Sequence, residues 1–171
     1  MSLKTEYRTE IIIPKVQQPQ PDPVTGELNI KGSPSLKILR RALEKVVQDH
    51  GGTITDTYSD CEGTEHKCLL AIRTGDFQRG IGVDIEEDGR VTFIYDAATL
   101  VEATPQEYVG QARYILDKTE VAEAICAEIA QNYAVLAVIE AQRRAGLQIQ
   151  VQQSPTPQGR QVIVTGTGRG R

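Results

Sequence analysis

The last third of the chain, residues 117–171, most limits what it can fold into. A long helical run carries Val121, Ile125, Ile129, Tyr133, Leu136 and Ile139 on one stripe and stops at Ala145-Gly146. Val135 and Val138 beside Ile139 widen that stripe, so the spacing predicts a helix buried over much of its girth. Two strand-like segments follow, Leu147–Gln153 and Arg160–Thr167, joined by Ser154-Pro155-Thr156-Pro157-Gln158-Gly159. With two prolines this link reads as too loose for a two-residue turn, which predicts a hairpin mobile at its tip. A helix of this kind needs a sheet to pack on; the two terminal strands either join that sheet or form an edge of their own.

Upstream, Glu10-Ile11-Ile12-Ile13-Pro14 reads as a short strand stopped by proline, which has no amide to give a ladder. The proline-spaced polar run Gln17-Gln18-Pro19-Gln20-Pro21-Asp22-Pro23 and a turn at Thr25-Gly26-Glu27 make 15–32 a long mobile loop. Such a loop is either a peptide-like docking arm or uncommitted surface. Ser33-Pro34 opens a helix as N-cap and first helical residue, with Leu36, Leu39, Leu43, Val46 and Val47 on one face and Gly51-Gly52 at its end. Four strands are expected at Thr53–Ser59, Lys67–Thr74, Gly80–Glu86 and Arg90–Tyr95, the last two joined at Asp88-Gly89 by a tight turn. Thr104-Pro105-Gln106-Glu107 is a capping box, and the helix it starts would carry Tyr108, Val109, Ala112, Ile115 and Leu116. That helix either runs into the 119–145 helix with a bend or stands apart from it.

These elements predict one α+β domain spanning 1–171: a mainly antiparallel sheet with helices packed on one face, in two layers. At 171 residues the chain is long enough to bury a core without staples. A net charge of −4 and the absence of tryptophan argue against a general polyanion binder or a base-stacking platform. No run approaches the roughly 18 apolar residues of a membrane span. Three cysteines and an acid in the N-terminal octapeptide point to a reduced cytoplasmic compartment.

Candidate chemistry is sparse. Cys61, His66 and Cys68 are soft ligands close in sequence, with His50 upstream, but the usual zinc knuckle is absent and spacing names no fourth ligand. The two thiols flank a hairpin tip, where they either pair across strands or stay free. Asp84, Glu86, Asp88 and Gly89 mimic the start of a calcium loop, yet the twelfth position is Tyr95, which cannot chelate. An acidic hairpin explains the same letters. Gly80-Ile81-Gly82 lacks the third glycine of a phosphate fingerprint and reads as a close backbone approach. Cys126 reads as packing. The polar surface Asp84, Glu86, Asp88, Tyr95 and Asp96, with His66, holds the groups an enzyme would use, but nothing in the spacing makes them converge. Arg143, Arg144, Arg160, Arg169 and Arg171 are the candidate basic contacts. The first pair also complements a helix C-terminus, and the Gly/Arg tail from 166 reads as disordered. No metal and no cofactor are expected.

The chain also resembles a known family. Met1-Ser2-Leu3-Lys4-Thr5-Glu6-Tyr7-Arg8-Thr9-Glu10-Ile11 is similar to its opening strand. Gly80-Ile81-Gly82-Val83-Asp84 with Val91-Thr92-Phe93-Ile94-Tyr95-Asp96 is similar to its central strand pair. Gln131-Asn132-Tyr133-Ala134 and Glu140-Ala141-Gln142-Arg143-Arg144-Ala145-Gly146-Leu147 resemble its terminal helix and turn, and the closing hairpin Gln148–Val164 follows in register. This is the hypothetical chloroplast open reading frame thirty-five family, a domain of unknown function in cyanobacteria, plastids and other bacteria. The chain departs from it in the Pro/Gln-rich 15–32 loop and in a Gly/Arg end where relatives carry tryptophan. The family has no agreed activity, and its members are encoded beside ATPases of the AAA+ class. The resemblance therefore implies a protein-binding or adaptor role. A small-molecule or nucleotide pocket between sheet and helices, and a nucleic-acid accessory role, are the alternatives.

Overall fold

The computed structural model describes residues 4–29, 32–101 and 114–168. Its main layer is a five-stranded, wholly antiparallel sheet in the order β1-β7-β6-β5-β4. The strands are β1 (Lys4–Ile12), β4 (Gly52–Ser59), β5 (Glu65–Thr74), β6 (Ile81–Ile85) and β7 (Arg90–Asp96). β4 to β7 form the expected meander, and β1 closes it beside β7. β1 starts at Lys4, six residues before the expected strand, because Lys4 to Arg8 pair with Asp96 to Thr92. The ladder shifts register between Arg8 and Ile12; there the Thr9 hydroxyl donates to the Val91 carbonyl at 2.7 Å and accepts from the Ile11 amide at 3.0 Å.

Helices α1 (Pro34–His50) and α2 (Thr119–Arg144) form the second layer. Ser33 caps α1 as its sequence demands, its hydroxyl accepting from the Leu36 amide at 3.2 Å. Gly51 ends it at φ +69°, a left-handed conformation that glycine adopts without strain. Leu36, Leu39, Leu43 and Val46 of α1 and Ala122, Ile125, Cys126 and Ile129 of α2 pack on Leu70, Ile72, Ile81, Val83, Val91, Phe93 and Tyr95 of the sheet. The fold is α+β with both helices on one face.

Several segments depart from the sequence reading. Residues 114–117 are strand β9, pairing with β8 (Ala98–Val101), so Ile115 and Leu116 do not lie on a helix. The capping box at 104–107, with Tyr108, Val109 and Ala112, lies outside the described residues. The segment after β1 is not one extended run: it makes a short 3-10 turn at Lys15–Gln17 and a two-residue ladder of β2 (Gln20–Pro21) with β3 (Leu28–Asn29). Gln17 Oε1 ties it to the start of α1, accepting from Ser35 Oγ at 2.5 Å and from the Ser35 amide at 3.3 Å. The β6–β7 connection runs over four residues, Glu86 to Gly89, rather than a two-residue turn: the Gly89 amide donates to Glu86 O and the Glu86 amide to Arg90 O, both at 2.9 Å. Gly89 is needed because a Cβ there would strike the Ile13 carbonyl.

The terminal strands β10 (Gln148–Thr156) and β11 (Gly159–Thr167) form their own two-stranded ribbon. Contrary to the expectation of a loose link, nine consecutive pairs close on the two-residue turn Pro157-Gln158. The prolines fit because position 157 is the first central turn position, where a fixed φ suits the chain. Pro155 sits opposite Arg160, one pair from the turn. Hydrogen-bonded pairs alternate outward from Thr156–Gly159, so the missing amide of Pro155 falls on the outer edge of β10. β11 also includes Gly166 and Thr167, so the tail begins later than expected.

Helix α2 is one element, but it is not buried over most of its girth. Ala122, Ile125, Cys126 and Ile129 are fully covered; from Ala130 onward no residue is. The helix is long and apolar enough, by length and composition alone, to cross a membrane, and only 22% of that apolar window is buried. Its N-terminal half belongs to the core, and its C-terminal half lies under the ribbon. Two substitutions separate the halves. Ile129→Ala is expected to cost about 2–5 kcal/mol by urea denaturation, whereas Val138→Ala, at a side chain 45% exposed, stays within about 0.5 kcal/mol.

Candidate functional site

The ribbon and the two helices leave an open groove of about 950 Å³ between them. Alternation along the ribbon explains one wall. Ile149, Val151, Val162 and Val164 share a face, and Gln148, Gln150, Gln152, Gln161 and Thr165 share the other. The apolar face turns toward α2, yet Val151 remains 42% exposed because it looks into the groove. The floor is α2: Ala124, Ala127, Val135, Leu136 and Ile139. The far wall is the C-terminal half of α1, with Arg41, Glu44, Lys45 and Asp49.

Polar anchors sit at both ends. Gln131 of α2 donates from Nε2 to the Arg160 carbonyl at 3.1 Å, pinning the ribbon tip to the helix. Next to it, the buried Nδ2 of Asn132 has no hydrogen-bond partner among the described residues. A buried amide donor without a partner loses its hydration uncompensated, so Asn132 carries a local energetic cost beside the groove. At the other end His50, the last residue of α1, meets Glu128 of α2 at 2.6 Å and Asp76 of the β5–β6 loop at 3.5 Å. The Glu128 hydrogen bond raises the His50 pKa above its ordinary value; partial burial opposes this, and the charges of Glu128 and Asp76 add to it.

None of the candidate acidic residues lines this groove. Glu86 Oε1 accepts from Thr92 Oγ1 at 2.7 Å and pairs with Arg8 at 3.1 Å. Asp88 Oδ1 accepts the Arg90 amide, and Asp84 Oδ1 the Ile85 amide. Tyr95 and Asp96, being adjacent on β7, point to opposite faces. Tyr95 is core, edge-on to Phe77 at 6.0 Å, while buried Asp96 accepts from the Ala98 and Cys61 amides at 2.9 and 3.0 Å. These contacts hold turns and strand ends together.

His66 and Cys68 gather elsewhere, around Tyr58 on the sheet face away from the helices. Tyr58 stacks on His66 with centroids 5.2 Å apart and lies over Gly82, where a Cβ would come within 2.7 Å of its ring. Burial, reinforced by Cys68, Asp60, Asp84 and Asp96, raises the Tyr58 pKa. His66 Nε2 bonds Asp60 at 2.9 Å. Burial pushes the Cys68 thiol up to about 11, and Cys61, Cys68 and Cys126 form no disulfide with one another. Among the described residues no three histidine, cysteine, aspartate or glutamate side chains are grouped to hold a metal ion.

The basic candidates do not form one patch. Arg143 and Arg144 end α2, with Arg144 3.6 Å from Glu140. Arg160 sits at the ribbon tip beside Gln131, twelve residues and roughly 18 Å back along the helix. Arg169 and Arg171 lie outside the described residues. Sequence reasoning missed Glu128, Gln131 and Asn132 and placed His50 only upstream of the cysteine cluster; His50 and Glu128 meet across 78 residues of chain. One signal was present: Gln131-Asn132 interrupts the apolar run of α2 at the place where the groove crosses it.

No family model, curated protein or solved structure matches the chain.

The His50 contact predicts a pH dependence. A histidine whose folded pKa is raised adds stability that is fully present below its unfolded value of about 6.5 and fades as pH rises through the folded value. The gap in unfolding midpoint between wild type and His50→Ala is therefore expected to be larger at pH 6 than at pH 8.5. An equal gap at both, by thermal melts, would show that protonated His50 contributes nothing.

Proposed function

We propose that this chain is a non-enzymatic protein-binding module, and that the groove between α1, α2 and the β10–β11 ribbon receives an amphipathic helix of a partner. The carrying observation is the groove's apolar floor, which lies open to solvent between the two helices and the ribbon. Ala124 and Ala127 allow a partner backbone to approach closely, and Val135, Leu136, Ile139, Val151 and Val162 supply apolar contact. The rim carries both charge signs: Arg41, Lys45 and Arg160 against Glu44, Asp49 and Glu128. That distribution suits an amphipathic helix with a mixed polar face, and it suits a polyanion poorly.

The family resemblance supports the same reading and makes an AAA+ ATPase the first partner to try. In the acidic hairpin the side chains of Asp84, Glu86 and Asp88 are engaged in turns and ion pairs, which lends no support to a catalytic role.

Binding of amphipathic helical peptides selected by display, and of the ATPase, is to be measured by calorimetry. The double variant Ile139→Glu/Val151→Glu is expected to weaken binding by about tenfold or more, since it places charge on a desolvated contact. Its circular dichroism should match wild type, because both side chains are only partly covered. The reading fails if neither peptide nor ATPase binds while nucleotides or small metabolites raise the unfolding midpoint.

A further inference from the structure

The outer edge of β11 carries an inference independent of the groove. Edge strands expose a row of amides and carbonyls that pair with other chains unless something blunts them. The main sheet is blunted at both sides. β1 presents Lys4, Glu6, Arg8 and Glu10 and breaks register between Arg8 and Ile12; β4 breaks register between Thr55 and Thr57. On the ribbon, β10 has Pro155 facing outward. β11 has none of these devices. It runs nine residues without a register break, contains no proline, and is uncharged from Gln161 to Thr167. No described strand pairs with that edge. A two-stranded ribbon is also marginal by itself, and three or more strands are the usual minimum for a stable sheet.

The sequence of this edge is nearly self-complementary. Gln161-Val162-Ile163-Val164-Thr165 reads almost alike in both directions about Ile163. Because Ile163 lies opposite Gln152 in a hydrogen-bonded pair, its own backbone groups face β10; those of Val162, Val164 and Gly166 face outward. We propose that two copies of this chain pair antiparallel through β11 about a twofold axis at Ile163, forming the four-stranded sheet β10-β11-β11-β10. In that register Val162 of each copy faces Val164 of the other, which continues the apolar ribbon face across the axis. The two Ile163 side chains, each 44% exposed in the single chain, cover one another on the opposite face. The ladder closes with about eight backbone hydrogen bonds. The Arg160 carbonyl already accepts from Gln131 and keeps a second lone pair for Gly166 of the other copy.

The register is testable by disulfide trapping in a Cys61→Ser/Cys68→Ser background. Ile163→Cys is expected to give a disulfide dimer under mild oxidation, since opposed non-hydrogen-bonded residues lie about 4.5 Å apart at Cα. Gln161→Cys is expected not to, because its twin lies four residues out of register; Gln161→Cys combined with Thr165→Cys restores the cross-link. By sedimentation the wild-type chain should run at twice its 18.8 kDa. Ile163→Lys, which sets like charges face to face, should raise the dimer dissociation constant by about tenfold or more while circular dichroism is unchanged. A wild-type chain that sediments as a monomer up to about 100 μM, where a weak interface would still assemble, overturns the proposal. So does cross-linking that is as efficient at 161 as at 163.

Discussion

The structure depends on a mismatch of length. Helix α2 has 26 residues and runs about 39 Å, and the sheet covers only the part of it that ends at Ile129. The N-terminal half therefore finds a core and buries Ala122, Ile125, Cys126 and Ile129. The C-terminal half overhangs it. Between Asn132 and Glu140 that overhang carries only aliphatic side chains and Tyr133, and this stretch requires a second cover. The chain provides one by turning back at Gly146 and laying the apolar face of the ribbon along the helix. Gln142 and Leu147 crowd Gly166 closely enough that a Cβ there would meet them at 2.9 Å.

The cover is partial, and both functional proposals follow from that. A ribbon two strands wide cannot roof this stretch of the helix, so Val135, Ile139 and Val151 remain in the wall and floor of the groove. The same two strands leave backbone edges unpaired. One edge is blunted by a proline and the other is not. The groove invites a helix and the bare edge invites a strand, and the two surfaces use different atoms of the same ribbon.

The polar residues divide in a complementary way. Those on the sheet, Asp84, Glu86, Asp88 and Asp96, accept from backbone amides or pair with neighbouring side chains, as acids in tight connections commonly do. Those in the groove behave differently: His50, Glu128 and Gln131 bridge separate elements, and Asn132 beside them is left with an unmet donor. An acidic cluster in the sequence is thus explained by turn chemistry, while the surface suited to binding is made of residues with no local pattern.

The sequence by itself determined the elements governed by short-range rules. Ser33-Pro34 opened α1 and Gly51 closed it, because capping is settled within one turn. The meander followed from period-two strands and turn residues, and the antiparallel α+β class followed from their order. What lay beyond its reach was whatever depended on partners far along the chain. Ile115 and Leu116 suit a helical stripe as well as a strand, and the ladder with β8 decided between them. Pro155 and Pro157 read as a loose link until pairing showed that one amide was not needed and one φ was preset. The apolar girth of α2 was legible, but whether burial matched it was not. That was decided by how far the sheet extends beneath the helix, a property of the assembled layers.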